Sequence, residues 1–353
     1  MAKTYAERLE SLRTRRVDPD FILQKAAVER FSTAELLNES YTKMDEDDVY
    51  KYFIGSMQPV DGLYTKNTYA EAERVQNQLD KIKDWNLGFS YEYQGSVSNN
   101  THIKAHSDID ILVLINKYFT LEPPQEPANP YKGNPIDDLM ELRGKCEAHL
   151  KSAFYKADVD CSGAKSISLS GGSLRRKVDV VPSNWYDTLK YAETQSKIFR
   201  GVQVLDKYKK VRIKNTPFYH NYLLEIKDNA SALNFKKAVR LLKNLKADAD
   251  ADIKFSSYDI VAVLYHMDSS KYLVGDKYLL LLKNIKEHLE YVISSSLFQS
   301  NKSVPDNSRL IFDNADKLNE LKKLKVEVDT LYSDVLNELN SKGMLLETKS
   351  FAI

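Results

Sequence analysis

The sequence predicts an α+β fold: a small sheet set between a helical leading segment and a helical second half. Three observations carry this. Strand-like alternation is confined to about Phe89–Pro182, helix-period apolar spacing dominates on both sides of it, and five of the ten prolines interrupt the sheet region between Leu121 and Pro135.

The stretch to about Asp84 reads as helical, because Phe21, Ile22, Ala26, Phe31, Leu36 and Leu37 recur at helical intervals and Tyr69–Ile82 repeats the spacing. In Phe89-Ser-Tyr-Glu-Tyr93 the aromatics alternate onto one face of a strand that stops at Gly95-Ser96. Asp108–Ile115 is the second strand, with acids only at its start. After the proline loop comes a helix over about Ile136–Phe154. Ala164–Ser170 then alternates, Gly171-Gly172 supplies a turn, and Lys177–Val181 returns as a strand that Pro182 ends, which makes a hairpin. Beyond Trp185 the chain reads as mainly helical, over Asn234–Lys246, Ser256–Met267, Asp276–Ser294 and Ala315–Asn340. In the last of these, Leu321, Leu324, Val328, Leu331 and Val335 form a seam of two heptads, too short for a coiled coil, so a core helix is expected. Residues 1–185 and 186–353 are the two expected parts.

Composition narrows the class. With 353 residues and a hydrophobic fraction of 42%, the chain can bury a core, and 51 Lys and Arg against 50 Asp and Glu leave none of the global charge of a polynucleotide coat. The longest apolar runs, Ile260–Tyr265 and Tyr278–Leu282, fall far short of the roughly 18 residues a membrane span needs. The first residues lack the pattern of a signal peptide, so a cytoplasmic location is expected. Cys146 and Cys161 form no CxxC pair and have no His cluster near them, which argues for buried thiols rather than a disulfide or zinc site.

The chemistry is expected at the strand ends. Asp108 and Asp110 share one face of their strand, with Cα atoms about 7 Å apart. That spacing suits a pair of hard cations of the kind that flank phosphoryl transfer. Asp179, in Arg175-Arg-Lys-Val-Asp-Val-Val-Pro182, is the candidate third acid. A DxD pair alone is weak, and these acids could equally be ordinary edge-strand residues. At Gly95-Ser96 a strand gives way to small polar residues, where backbone amides, the serine hydroxyl and a following helix N-terminus would receive phosphate. On the helix from Asn234, the residues Phe235, Ala238, Val239, Leu242 and Leu245 form an apolar stripe, and Lys236, Arg240 and Lys243 line another face that suits a triphosphate or is simply solvated.

The ordered set Gly95-Ser96, Asp108-x-Asp110 and Asp179 resembles the polymerase-β-like nucleotidyltransferases. Asn234–Lys246 followed by Phe255-Ser-Ser-Tyr-Asp-Ile260 is similar to the helix and FSSY segment of animal cyclic GMP-AMP synthase and its bacterial relatives, the CD-NTases of antiphage signalling. The resemblance runs in ordered motifs from about Tyr91 to Met267. It implies a polymerase-β-like core packed on a C-terminal helical bundle. It implies a cyclic di- or trinucleotide synthase acting on ATP and other ribonucleoside triphosphates. By the same resemblance Asp108, Asp110 and Asp179 are catalytic and hold two Mg2+ (or Mn2+), while Gln94, Gly95, Ser96, Arg240, Lys243, Ser257 and Tyr258 bind nucleotide. The His/Cys zinc insertion used by the animal enzyme in sensing DNA is missing, so no long nucleic-acid partner is expected. Regulatory or conjugating partner proteins occur in such systems, but no motif here identifies one. An enzyme transferring nucleotides to RNA, tRNA or protein would share these motifs, and a catalytically silent nucleotide-binding regulator is the alternative outside catalysis. Between Arg200 and Lys246 there are twelve Lys or Arg against three Asp or Glu, so a basic helical half is expected behind the neutral total.

Overall fold

The computed structural model describes residues 3–16, 40–105 and 107–342. The expected helix around Phe21–Leu37 lies outside the described residues. The chain divides into a sheet unit, Asp61–Asn100 with His106–Tyr222, and a helical unit, Met1–Val60 with Thr101–Ala105 and Leu223–Ile353. The boundary expected at 185/186 is therefore corrected on both sides. The leading helices share a core with the C-terminal ones, and the sheet extends past residue 186.

In the sheet unit, α3 (Gly62–Leu79) opens on Asp61, whose side chain accepts from Leu63 N at 2.8 Å. β1 (Phe89–Gln94) pairs antiparallel with β2 (Ile109–Leu121), and β2 pairs parallel with β5 (Val178–Asp187). Between them come α4 (Pro135–Ala153), capped by Asn134 with Pro135 in its first turn, and the short strands β3 (Asp158–Asp160) and β4 (Ile167–Ser170). β4 pairs antiparallel with β5 through Gly171-Gly172, which is the expected hairpin. At Gly172 φ is +60°, and a Cβ would sit 2.1 Å from Lys156 O, so only glycine fits there.

Two expectations fail for identifiable reasons. Pro182 does not end β5: β4 pairs only as far as Val180 and β6 (Arg200–Asp206) pairs from Ser183, so the missing N–H falls in a gap between partners. The stretch after Trp185 is not mainly helical at first, since β6 and β7 (Val211–Asn215) form another antiparallel hairpin after the short α5 (Leu189–Thr194). Their alternation, Val202, Val204 against Gln203, is two-period and short.

One sheet face buries Ile109, Ile111, Val113, Ile115, Val178 and Val180 under α3 and α4. Behind it Arg143, 1% exposed, donates to the carbonyls of Cys161, Gly163, Ala164 and Ser166, satisfying the backbone of the β3–β4 connection. Cys146 is buried in this core, whereas Cys161 is only partly covered. The opposite face is apolar at Leu112, Leu114, Val181, Val202 and Val204 and becomes acidic where β2 and β5 begin.

The helical unit contains α1 (Tyr5–Arg16), α2 (Asp48–Met57), the C-terminal part of α6 (Pro217–Ala230), α7 (Asn234–Asp248), α8 (Ser257–Tyr265), α9 (Tyr278–Ser294), α10 (Ser296–Asn301) and α11 (Asp316–Ser341). All five seam residues of α11 are fully buried, as expected of a core helix. Each such burial is worth roughly 1.5–3 kcal/mol, which is why packing rather than helix propensity fixes the element. Asp248 at the end of α7 accepts both Arg15 nitrogens at 2.9 and 2.7 Å and the Tyr52 hydroxyl at 2.9 Å, tying α1 and α2 to α7. Among the described residues no helix is long and apolar enough to cross a membrane.

Candidate active site

Strand register assembles the acidic site. Gln94 faces Asp110 across β1 and β2, Asp110 faces Asp179 across β2 and β5, and Asp179 faces Ser168 across β5 and β4. Four polar side chains thus lie in one row on the face opposite the α3–α4 core, with neighbouring strands about 4.8 Å apart. Asp108, exposed and two residues before Asp110, shares that face. The three acids expected from sequence are together.

The environment of each acid differs. Asp110 is pushed up to about 7, first by burial and then by the fields of Asp179 and Asp108, with Lys177 opposing. Asp179 has one carboxylate oxygen, Oδ1, buried without a hydrogen-bond partner. Its Oδ2 accepts from Lys177 Nζ at 3.0 Å, and Asp108 Oδ2 lies 3.5 Å from the same nitrogen. Burial works against the Lys177 charge, yet these two acids hold its pKa above the usual value. Among the described residues no three His, Cys, Asp or Glu side chains are already set as a metal-holding group, and two of the acids close on the lysine. The donor set nonetheless fits a hard cation: all oxygen, over-rich in negative charge, and with an ammonium standing where positive charge is needed.

Lys177 is the residue that reading the sequence missed. Its signal was present, because a lysine two residues before an acid on extended chain shares that acid's face.

Gly95 follows Gln94 with φ +92°, and a Cβ there would lie 2.8 Å from Asp110 Oδ2. The glycine therefore makes room for the carboxylate. Residues 95–100 form turns rather than the expected helix, with Ser98 Oγ donating to Gly95 O at 2.8 Å, so no helix terminus is aimed there. Asn215 Nδ2 donates to Gln94 Oε1 at 3.0 Å and holds its amide.

The other expected residues lie in the helical unit. Lys236, Arg240 and Lys243 are all buried, so their face is neither solvated nor an open basic row. Lys236 pairs with Glu225, and Lys243 donates to Thr101 O at 2.6 Å. Arg240 donates to Met57 O at 2.7 Å, a bond that joins α7 to the end of α2. Lys243 is pushed down to about 8 by burial, then by Arg240, Lys246 and Lys104. In the FSSY segment Ser256 caps α8, accepting from Asp259 N, while Ser257 is exposed in the first turn. The Tyr258 hydroxyl donates to Asp306 Oδ1 at 3.1 Å, and the Arg309 guanidinium lies 5.3 Å from its ring centroid. Burial raises the Tyr258 pKa.

Comparison with known proteins bears on this arrangement. Residues 224–333 match the C-terminal helical domain of cGAS/DncV-like nucleotidyltransferases. The cyclic dinucleotide synthase CdnE of Yersinia aleksiciae is 36% identical over 315 residues, covering 87% of this chain and 82% of that protein. The chain belongs to the CD-NTase family. A c-di-GMP synthase of Capnocytophaga granulosa is 33% identical over 87% of this chain and 95% of its own length. The solved structure of a STING-associated CdnE c-di-GMP synthase from that organism superposes with a TM-score of 0.76, covering 95% of this chain and 99% of the other at 31% identity. The corresponding Flavobacteriaceae structure reaches 0.77 at 28% identity, covering 96% and 100%. This CD-NTase is accordingly a nucleotidyltransferase that makes a cyclic oligonucleotide, with a mixed-sheet core, flanking helices and a C-terminal helical domain.

Proposed function

We propose that this CD-NTase condenses two ribonucleoside triphosphates into a cyclic dinucleotide, with GTP as the first substrate to test, and that the product is a second messenger in bacterial antiphage signalling in the cytoplasm. The observation that carries the reading is the single row in which Asp110 and Asp179 face each other across parallel strands, with Asp108 two residues away. The choice of GTP is supported by three relatives, 33%, 29% and 30% identical, that are c-di-GMP synthases.

Asp108, Asp110 and Asp179 would hold two Mg2+, which supply charge neutralisation for the triphosphate and acidify the attacking hydroxyl. The remaining work falls to the chain. The partnerless Oδ1 of Asp179 is an acceptor for the proton of the attacking ribose hydroxyl. The ribose oxygen bonds to the α-phosphorus, the bond from the α-phosphorus to pyrophosphate breaks, and pyrophosphate leaves; a second such step closes the ring. The Gly95-Ser96 turn offers a backbone amide and a hydroxyl to phosphate, and Gln94 keeps its amide beside Asp110. Lys243, Ser257 and Tyr258 keep the donor-nucleotide role that the family resemblance gives them.

Purified protein incubated with each labelled nucleoside triphosphate and Mg2+ or Mn2+, then treated with phosphatase and analysed by mass spectrometry, tests this. GTP should yield a phosphatase-resistant cyclic dinucleotide, and Asp108→Asn with Asp110→Asn should abolish pyrophosphate release without loss of fold. Turnover retained in that variant, or label transferred to RNA or protein, would refute it.

A further inference from the structure

Lys177 is held over the acids by its own backbone. Ile109 N donates to Lys177 O at 3.3 Å, so the residue is fixed beside β2 at the point where β5 begins. Extended geometry then sends its side chain to the face of Asp179. The ammonium bridges Asp179 at 3.0 Å and Asp108 at 3.5 Å, and the lysine side chain is 39% exposed, so it can swing outward without opening the core. A cation and an ammonium cannot both sit between the same two carboxylates, because each repels the other at these distances.

We propose that Lys177 is a built-in counter-cation of the acid cluster, displaced when a divalent cation binds, and that an incoming triphosphate offers the released ammonium a new anionic partner. The inference rests on the reading of Asp108 and Asp179 as metal ligands. Metal entry is then resisted in the empty enzyme and eased by nucleotide, so the two arrive together. Lys177 acts here as a positioning residue, through the carboxylates.

Mn2+ binding followed by electron paramagnetic resonance on the full chain, without nucleotide, separates the possibilities. Lys177→Met should bind Mn2+ at least about tenfold more tightly than the parent, and Lys177→Arg, which keeps the charge, should stay near it. With a non-hydrolysable GTP analogue present, the gap between Lys177→Met and the parent should narrow. In chelator, Lys177→Met should melt at lower temperature than the parent, and Mg2+ should close that gap. Lys177→Gln repeats the comparison if the methionine variant does not fold. Equal or weaker Mn2+ binding in the folded neutral variants, or a gap unchanged by the analogue, would overturn the proposal. Unaltered Mn2+ binding in Asp108→Asn with Asp110→Asn would instead overturn the metal-ligand reading itself.

Discussion

Replacing Asp110 by Asn should make the metal-free protein more stable while removing its activity. The carboxyl is pushed from 3.8 to about 7 by burial and by Asp179 and Asp108. A raised folded-state value for an acid means that its stabilising contribution is complete below pH 3.8 and is lost as pH rises through about 7. At about 1.4 kcal/mol per pH unit, the ionised side chain costs the folded state about 4 kcal/mol at pH 8 and under about 2 at pH 5. Asparagine has nearly the same shape and is neutral at every pH.

The assay is urea unfolding in the presence of chelator at both pH values. Asp110→Asn should exceed the parent by up to about 4 kcal/mol at pH 8, with the gap narrowing at pH 5. Mg2+ should raise the parent's midpoint and leave the variant's nearly unmoved. Pyrophosphate release should be lost in the variant at either pH. A variant no more stable than the parent at pH 8, or a gap that does not narrow on acidification, would show that the acids are not a destabilised cluster. Sites that work by holding like charges together commonly give up stability in this way.

Two further outcomes follow from the geometry. Gly95→Ala should cost about 1 kcal/mol of stability because of its φ of +92°, yet lower pyrophosphate release at least about tenfold, since its Cβ displaces the Asp110 carboxylate from 2.8 Å away; steady-state turnover beside a urea melt reads both. His288 is pushed down to about 4, mainly by burial, so the folded state binds its proton less readily than the unfolded chain. Stability present above about pH 6.5 should fall by up to about 3 kcal/mol as pH drops to 4, and His288→Gln should show a shallower fall in urea midpoint over that window.

The fold class and the three acids were legible because each rests on a local period. Asp108 and Asp110 alternate with Ile109 and Ile111, and the Gly171-Gly172 turn announces the strand of Asp179. What local period does not encode is the partner. Nothing in the helical spacing of the leading segment says that Leu12 and Phe53 share a core with Phe235 and Leu331 rather than with the sheet, and so the unit boundary was misplaced. Pro182 misled for the same reason, since a missing N–H ends a strand only where a neighbour would have asked for it. Gly95 and Lys177 acquire meaning only from which carboxylate each one meets.

Charge shows the same limit from the other side. The basic excess of residues 200–246 suggested an open field for a triphosphate, but the segment is divided between the two units and much of it is already satisfied. Arg200 pairs with Asp187, Lys207 with Glu147, Lys214 with Glu122 and Lys236 with Glu225, while Arg240 and Lys243 donate to backbone carbonyls. A count of charges along the chain therefore overstates the field those residues present. The acids are the opposite case: Asp108, Asp110 and Asp179 add little to the total, but one lysine bridges only two of them, and Asp110 sits at about 7 as a result of burial and its neighbours. Undercompensated charge, rather than abundant charge, sets this cluster apart, and it becomes visible only when the strands bring Asp110 and Asp179 to the same level.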